Sequence, residues 1–330
     1  MSSASATSGQ LGTFAHTGPR DVRVARLWPR AEGRLVPCAP AAIRSACMAS
    51  PDYEVEYDNR RRVPEVGAIL ARWKIASAVY RETAHAELDR RYGPGDRHRY
   101  DLFFTDSSGA PLVAYLHGGY WQSGDRTLYS FLAEGLNANG LTVAVPSYSL
   151  CPTVSVLDIV EELRTFLAAL WDRTAAHPLI VGHSAGGHLT AAMVATDWSA
   201  IPDVPDDLVR AGIAISGIFD LQPLVSTSIN NALGFDLEMA RDASPGFWPP
   251  PPKRRALIAA VGAAESSEFL RQSREIVERW GRAGLETEYL EAPGTNHFTI
   301  LDELTQPQSA LFGRVFAMAQ RVQTPTFEMQ

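Results

Sequence analysis

Residues 178–195 read PLIVGHSAGGHLTAAMVA, and this stretch decides the predicted fold. Its first four residues predict a buried strand, and the run from Ala185 onward predicts a helix. Between them GHSAG at 182–186 fits the pattern G-x-S-x-G, which holds a serine on a sharp strand-to-helix turn. Glycines are needed there because flanking side chains would collide with neighbouring backbone. An ordinary glycine-rich turn also fits these five residues, but the flanking strand and helix favour Ser184 as a nucleophile.

Outward from this turn, apolar runs of strand length alternate with longer segments of helical periodicity. In the clearest helix, Ser155 and Asp158 form a start signal ahead of an apolar stripe. The alternation predicts an α/β fold with a mostly parallel central sheet and helices on both faces. Strands are predicted at 100–105, 111–116, 141–145, 178–181, 211–216, 256–261 and 286–290. Helices are predicted at 63–92, at 155–171, from 185, at 267–281 and at 301–320.

Composition and charge exclude several classes of protein. The 330 residues are 45% apolar with a net charge of −7, so no basic surface indicates a nucleic-acid or anionic-membrane partner. No apolar run approaches the ~18 residues of a spanning helix, and the N-terminus lacks a secretory pattern. The cysteines and histidines show no metal-ligand spacing, and no dinucleotide or phosphate loop is present. We therefore expect a cytoplasmic protein without metal or cofactor, with its oligomeric state left open.

Residues 1–52 differ from the rest of the chain. They are rich in Ser, Ala, Pro and Arg without sustained periodicity, which predicts a disordered or partly ordered tail. Two alternatives stay open, namely Met48 as the true start and a transit peptide ahead of the domain. Residues 53–330 are predicted to form a single catalytic domain.

A serine hydroxyl needs a base to become nucleophilic, and this kind of fold places the base after the serine in the chain. Only His188 and His297 follow Ser184. His188 lies one turn down the helix that begins after the serine, so its ring cannot readily swing back over the hydroxyl. His297 lies in PGTNHF at 293–298, the loop after the last predicted strand, and is therefore the predicted general base.

Two carboxylates compete for the role of the acid that orients the base. Glu265 follows the penultimate strand, and Asp220 follows the strand before it. Chain position favours Glu265. Asp220 stays as the alternative acid, with a loop-ordering or helix-starting carboxylate as its other interpretation.

The segment LHGGYW at 116–121 follows an early strand and predicts an oxyanion-binding loop. Its glycines let backbone N–H groups approach a tetrahedral intermediate without an intervening side chain. The predicted donors are the N–H groups of Gly118, Gly119 and Tyr120, together with that of Ala185 at the helix N-terminus.

Side chains beside these two motifs are candidates for the substrate pocket. Tyr120 and Trp121 follow the glycines, and His183 precedes the serine. Simple packing is the alternative for the two large aromatic residues. His117 precedes the serine in the chain and is predicted to fix its loop by hydrogen bonding rather than to act in catalysis.

Together the motifs resemble the kynurenine formamidase (arylformamidase) family, a neighbour of the hormone-sensitive-lipase-like esterases in the α/β-hydrolase superfamily. The resemblance covers roughly residues 53–316. YSLCP at 148–152 is similar to the Y-R-L-A-P segment of the esterase group, with Ser and Cys departing from it. The segments that carry the resemblance are EYDNR at 56–60, HGGYW at 117–121, GHSAGGHL at 182–189, SGIFDLQPL at 216–224, EFLRQS at 268–273 and PGTNHF at 293–298.

The resemblance implies an α/β-hydrolase fold and a serine triad, carried over as Ser184, Glu265 and His297. The family's usual acid is Asp, so Glu265 departs from the pattern by one methylene. The implied substrates are small carboxylic esters or aryl formamides similar to N-formylkynurenine, and no residue selects between them.

We therefore expect a serine hydrolase that acts through an acyl-enzyme on Ser184. The rival enzyme interpretation is a carboxylesterase with no formamidase activity. A ligand-binding protein on the same fold is the rival from another class, which is disfavoured because such proteins usually lose the histidine and His297 is present.

Overall fold

The computed structural model describes residues 51–107 and 109–324, which contain an eight-stranded mixed sheet. The tail predicted for residues 1–52 lies outside the described residues except for its last two positions, and Met48 lies outside them as well. The strands are β1 (Ala86–Arg91), β2 (Arg99–Phe103), β3 (Leu112–Leu116), β4 (Thr142–Pro146), β5 (Pro178–His183), β6 (Ala211–Ile215), β7 (Ala256–Gly262) and β8 (Glu286–Ala292).

Helices connect and cover these strands. None of those that the structure describes is long and apolar enough to cross a membrane. The α-helices are α1 (Tyr53–Tyr57), α2 (Asn59–Arg62), α3 (Val66–Thr83), α4 (Ser130–Asn137), α5 (Val156–Thr174), α6 (Ala185–Ala195), α7 (Asn230–Leu233), α8 (Leu237–Asp242), α9 (Ser267–Arg282) and α10 (Ala310–Val322). Short 3-10 helices span Arg126–Leu128, Trp198–Ala200, Gln222–Ser226, Pro245–Phe247 and Thr299–Thr305.

The order of strands across the sheet is β1-β2-β4-β3-β5-β6-β7-β8. The pairs β1–β2 and β2–β4 are antiparallel, and all later pairs are parallel. The carboxyl ends of β3, β5, β7 and β8 therefore lie along one edge, which we call the carboxyl edge. Ligand chemistry in open α/β sheets gathers at this edge.

Burial explains why the central strands have continuous apolar sequences. Strands β3, β5, β6 and β7 are buried at every residue. One apolar cluster joins the sheet to α3, α4 and α10, with Trp73 and Phe131 among its largest members. Helix α6 packs against β5 and β6, and α9 packs against β7 and β8. A parallel sheet covered in this way has no solvent-facing side, so its strands lose the alternating pattern.

Helix α5 shows how local sequence sets an element. The Ser155 hydroxyl accepts from the Asp158 N–H at 3.2 Å, and the Asp158 carboxylate accepts from the Ser155 N–H at 2.9 Å. This reciprocal capping box satisfies two otherwise unpaired backbone donors. The predicted start of the helix is therefore confirmed.

Two predicted helices were wrong in extent. The helix predicted for 63–92 ends at Thr83, and 86–91 form the edge strand β1 instead. Most of β1 is exposed and charged, and a register shift between Glu87 and Arg90 breaks its alternation, so no strand pattern was readable. The helix predicted for 301–320 is split into a 3-10 helix and α10. Pro307 lies in the gap, where it lacks an N–H and disfavours helical backbone before it.

Candidate active site

Ser184 lies between β5 and α6 in a backbone conformation that side chains rarely adopt, with φ of 58° and ψ of −119°. The turn is held in place because the Ser184 N–H donates to the carbonyl of Ile215 on β6 at 2.8 Å. A Cβ on Gly182 would overlap the carbonyl oxygen of Gly186, and a Cβ on Gly186 would overlap that of Leu116. Both positions therefore require glycine, and the turn presents the serine at the carboxyl edge.

His297 and Glu265 reach the same edge from the loops that follow β8 and β7. His297 Nδ1 lies 2.6 Å from Glu265 Oε2, and both side chains are almost completely buried. The other carboxylate oxygen, Oε1, accepts from the Ser216 hydroxyl at 2.6 Å and from the Gly262 N–H at 2.7 Å. With two donors on Oε1, the carboxylate acts as an acceptor toward the ring, so Nδ1 carries a proton. In the neutral ring, Nε2 is then the acceptor that a general base requires.

His183 holds the backbone of His297 in place. Its Nε2 lies 2.7 Å from the carbonyl oxygen of His297, and the two ring centroids are 4.6 Å apart. Burial lowers the pKa of His183 well below its usual range, and the nearby His297 ring lowers it further. The ring is therefore neutral, with the proton on Nε2 donated to this carbonyl. The residue predicted as a pocket candidate thus borders the cavity and also anchors the His297 loop.

The loop after β3 approaches Ser184 closely. A Cβ on Gly118 would lie 2.8 Å from the carbonyl oxygen of His183 and 3.0 Å from Ser184 Cβ. Gly119 has φ of 118°, and a Cβ there would overlap the carbonyl oxygen of Ser123. The two glycines therefore permit a backbone path that other residues would block.

Four backbone N–H groups beside the serine have no partner among the described residues. Within the residues that the structure describes, the N–H groups of Gly118, Gly119, Tyr120 and Ala185 donate no hydrogen bond. Gly118 lies against the serine, and Ala185 is the first residue of α6, whose N-terminal N–H groups favour negative charge. Unpaired donors beside a candidate nucleophile are what an oxyanion hole requires.

Buried aromatic residues fix the shape of this loop. The Tyr148 hydroxyl donates to the carbonyl of His117 at 2.6 Å, and the two rings stack with centroids 4.2 Å apart. His117 Nδ1 lies 2.8 Å from the carbonyl oxygen of Gly118. His117 is fully buried, and burial lowers its pKa to about 4. The neutral ring therefore donates to this carbonyl, which agrees with the structural role predicted for it.

Residues 53–62, which form α1 and α2, lie over the site, and we call them the covering segment. The Tyr120 hydroxyl donates to the carbonyl of Tyr57 at 2.6 Å and accepts from Asn59 Nδ2 at 3.1 Å. The Tyr57 hydroxyl donates to Glu268 at 3.0 Å and accepts from Gln272 at 2.7 Å. The segment is therefore bonded both to the oxyanion loop and to helix α9.

A cavity of about 420 Å³ lies between the covering segment and the carboxyl edge. Ser184 and His297 both line it, as do the predicted pocket residues Tyr120 and His183. Aromatic rings, charged groups and the amide of Asn59 form much of the remaining wall. These include Glu54, Tyr57, Asp58, Asn59, Arg60, Trp73, Tyr129 and Phe298.

Two sequence predictions for the site need correction. Trp121 does not line the cavity, because it is fully buried and packs edge-on against the ring of His188. Asp220, the alternative acid, accepts from the Gln222 N–H at 2.9 Å at the start of a 3-10 helix, and none of its hydrogen bonds involves His297. It is the helix-starting carboxylate of the second interpretation, while Glu265 holds the ring.

Sequence reasoning missed the contribution of the covering segment and of Ser216. Tyr57, Asn59 and Arg60 line the cavity although they precede the serine by more than a hundred residues. One signal pointed to them, since EYDNR at 56–60 was among the segments that resemble the formamidase family. Ser216, which follows β6 and donates to Glu265, begins another of those segments, SGIFDLQPL at 216–224, but no local pattern indicated this role.

Known proteins place this arrangement in a class. Residues 113–301, more than half of the chain, match the family described as the alpha/beta hydrolase fold. The solved structure of a candidate thioesterase from Silicibacter sp. TM1040 matches with a TM-score of 0.74 and 30% identity, covering 81% of this chain and 99% of that one. The fold and the site together define a serine hydrolase of the α/β-hydrolase fold, as predicted.

Two relatives narrow the assignment. Kynurenine formamidase from Danio rerio is 29% identical over 271 residues, covering 78% of this chain and 92% of that protein. Kynurenine formamidase from Salmo salar is 31% identical over 233 residues, covering 68% and 79%. The chain therefore belongs to the kynurenine formamidase family, which confirms the resemblance inferred from its motifs.

Proposed function

We propose that this enzyme hydrolyses aryl formamides, of which N-formylkynurenine is the reference substrate, and small carboxylic esters through an acyl-enzyme on Ser184. The observation that carries the proposal is that Ser184 and His297 line the same cavity, while Glu265 is hydrogen-bonded to Nδ1 of the His297 ring. A hydroxyl becomes nucleophilic when a positioned base takes its proton. Here the free Nε2 of His297 is the acceptor for that proton.

The chemistry then follows in two balanced steps. Ser184 Oγ bonds to the formyl carbon as His297 Nε2 takes the hydroxyl proton, and the C–N bond breaks as Nε2 returns that proton to the leaving arylamine. A water molecule next attacks the formyl-serine while His297 accepts a water proton, and the serine oxygen leaves with it. Formate is released and Ser184 is restored. With an ester, an alcohol replaces the arylamine.

The unpaired N–H groups of Gly118, Gly119, Tyr120 and Ala185 support the next part of the proposal. Negative charge develops on the carbonyl oxygen in both steps, and fixed backbone donors stabilise it without reorganising. One such donor contributes about 3–4 kcal/mol in known cases. Glu265 supports the same steps by stabilising the positive charge that His297 acquires.

The cavity wall supports an aromatic leaving group. Trp73, Tyr129 and Phe298 line the cavity, and Phe131, which does not line it, stacks on Trp73 with ring centroids 5.3 Å apart. Aromatic side chains favour offset or edge contacts with another ring. A small substituent on the acyl side matches the tight approach of Gly118 to the serine.

We also infer a cytoplasmic location. Cys151 is buried and free, and burial raises its pKa to about 11. A free cysteine is usual in the reducing cytosol. Fractionation of cells that express the full chain tests this, and enrichment in an organelle or in the medium would contradict it.

Hydrolysis by purified protein tests the proposed function. We expect the wild type to release formate from N-formylkynurenine and to hydrolyse p-nitrophenyl acetate. Ser184→Ala removes the nucleophile and should lower kcat by about 10⁴-fold or more on both substrates. Ser199→Ala is the matched control, because Ser199 is exposed and bonds only within its own turn. Near-normal turnover by Ser184→Ala would overturn the scheme, and ester cleavage without formamide cleavage would leave a carboxylesterase.

A further inference from the structure

Arg60 is a cation without a protein partner in the active-site cavity. Its guanidinium makes no hydrogen bond or ion pair within residues 51–107 and 109–324, although it lines the cavity that holds Ser184. The two arginines beside it differ. Arg61 is exposed like Arg60 but does not line the cavity, and Arg62 pairs with Glu56 at 2.8 Å. Of these three arginines, only Arg60 lines the cavity with a guanidinium that has no partner among the described residues.

The backbone of Arg60 is held firmly. Asn59, its neighbour, is buried and donates to the Tyr120 hydroxyl at 3.1 Å, while the Asp58 carboxylate caps α2 by accepting from the Arg61 N–H at 3.0 Å. The charge of Arg60 also reaches the cavity wall. Burial raises the pKa of Tyr129 to about 12, and the Arg60 charge opposes that rise. The guanidinium of Arg60 is therefore close enough to Tyr129 to act on it electrostatically, and its backbone is fixed.

Neighbouring acids do not neutralise this cation. Glu54 accepts from the Ser228 N–H at 2.6 Å and from the Ser228 hydroxyl at 2.5 Å. Asp58 accepts from backbone at α2 and, within residues 51–107 and 109–324, forms no ion pair with an arginine. The cavity lining thus includes two carboxylates and one guanidinium that has no partner among the described residues. A guanidinium fork matches a carboxylate in two parallel hydrogen bonds, and nearby carboxylates favour an ammonium over a second anion.

We propose that Arg60 binds the carboxylate of a substrate whose aryl formamide carries an α-amino-acid group, with Glu54 and Asp58 facing the ammonium of the same group. The inference rests on the proposed function, since it concerns the leaving-group side of that reaction. It makes Arg60 a specificity-determining residue rather than a member of the catalytic machinery. The cavity then recognises three features of the substrate, namely its formyl group, its aromatic ring and its zwitterionic amino-acid group.

Two substrates that differ only in this end test the proposal. N-formyl-L-kynurenine carries the amino-acid group, and N-(2-acetylphenyl)formamide has the same ring, ketone and formamide without it. The readout is the ratio of their kcat/KM values in the full chain. Arg60→Gln should lower the ratio about 10- to 100-fold, mainly by raising KM for N-formyl-L-kynurenine, because a charge-assisted hydrogen bond is lost. Arg60→Lys keeps the charge without the fork and should fall between.

Arg61→Gln is the matched control, and it should keep the ratio within about twofold because Arg61 takes part in the cap of α2 only through its backbone N–H, which donates to Asp58. An unchanged ratio in Arg60→Gln, or an equal fall in Arg61→Gln, would overturn the proposal while leaving the proposed function intact. If the wild type hydrolyses neither formamide but still cleaves p-nitrophenyl acetate, the formamidase function fails and the Arg60 assignment falls with it.

Discussion

The carboxyl edge and the covering segment border the same cavity, but they are built in different ways. At the edge, each catalytic candidate sits one to five residues beyond a strand, and its position is fixed by the buried sheet. The covering segment has two short helices, and side-chain bonds to residues far along the chain hold it, such as Tyr57 with Glu268. We infer from this comparison that the carboxyl edge supplies the groups that react, whereas the covering segment determines which substrates reach them.

The largest effect should come from the acid at the edge. Glu265→Gln keeps the size of the side chain but replaces the acceptor facing Nδ1, so kcat should fall about 10³- to 10⁴-fold with KM little changed. Asp220→Asn is the matched control, because its side-chain oxygen can still accept from the Gln222 N–H. It should change kcat by less than about twofold. A larger loss in Asp220→Asn than in Glu265→Gln would reverse the assignment of the acid.

A smaller effect, of a different kind, is expected at the covering segment. Tyr120→Phe removes the hydroxyl that joins Tyr57 and Asn59 and leaves a buried donor unpaired, at a cost of about 1–3 kcal/mol in folding free energy. Because the segment shapes the cavity, KM should rise several-fold and kcat should change less. Steady-state kinetics and thermal unfolding measure both.

Tyr289→Phe is the control for that experiment, since Tyr289 bonds to Glu291 on β8 outside the cavity. A fall in kcat at constant KM in Tyr120→Phe would contradict the division of labour, because it would place the hydroxyl in the chemistry.

The last effect concerns stability alone, because the free energy of unfolding should depend on pH. Burial lowers the pKa of His117 and of His188 to about 4, and it lowers that of His183 well below its usual range. Between pH 6.5 and 4 these histidines bind protons in the unfolded chain but stay neutral in the folded chain. The free energy of unfolding therefore falls as the pH falls. Urea titrations at pH 7.0 and 5.0 should show this loss. His188→Gln, which can still donate to the Ala243 carbonyl, should reduce the slope, and an unchanged slope would contradict the assignment.

Much of the edge could be predicted from sequence because its determinants are local. The positions around Ser184 require glycine because a side chain there would contact backbone in the same turn and in β3. The strand before the serine and the helix after it are indicated by the adjacent residues. Chain order left His188 and His297 as candidate bases, of which the helical position of His188 favoured His297, and it favoured Glu265 over Asp220 as the acid. The covering segment could not be predicted in this way, because its roles depend on partners 61 to 215 residues away. The edge strand β1 was not predicted for a similar reason, because its pairing and its bulge leave no pattern in its own sequence.

The central claim is that Ser184, activated by His297, attacks the substrate carbonyl, and a fluorophosphonate probe tests it most directly. Intact-mass and peptide mass spectrometry of the labelled full chain should show one adduct per molecule, on Ser184. The rate of labelling should fall at least about 10³-fold in His297→Asn, which retains the loop but removes the base. An adduct on another residue, or labelling of Ser184 at an undiminished rate in His297→Asn, would contradict the account.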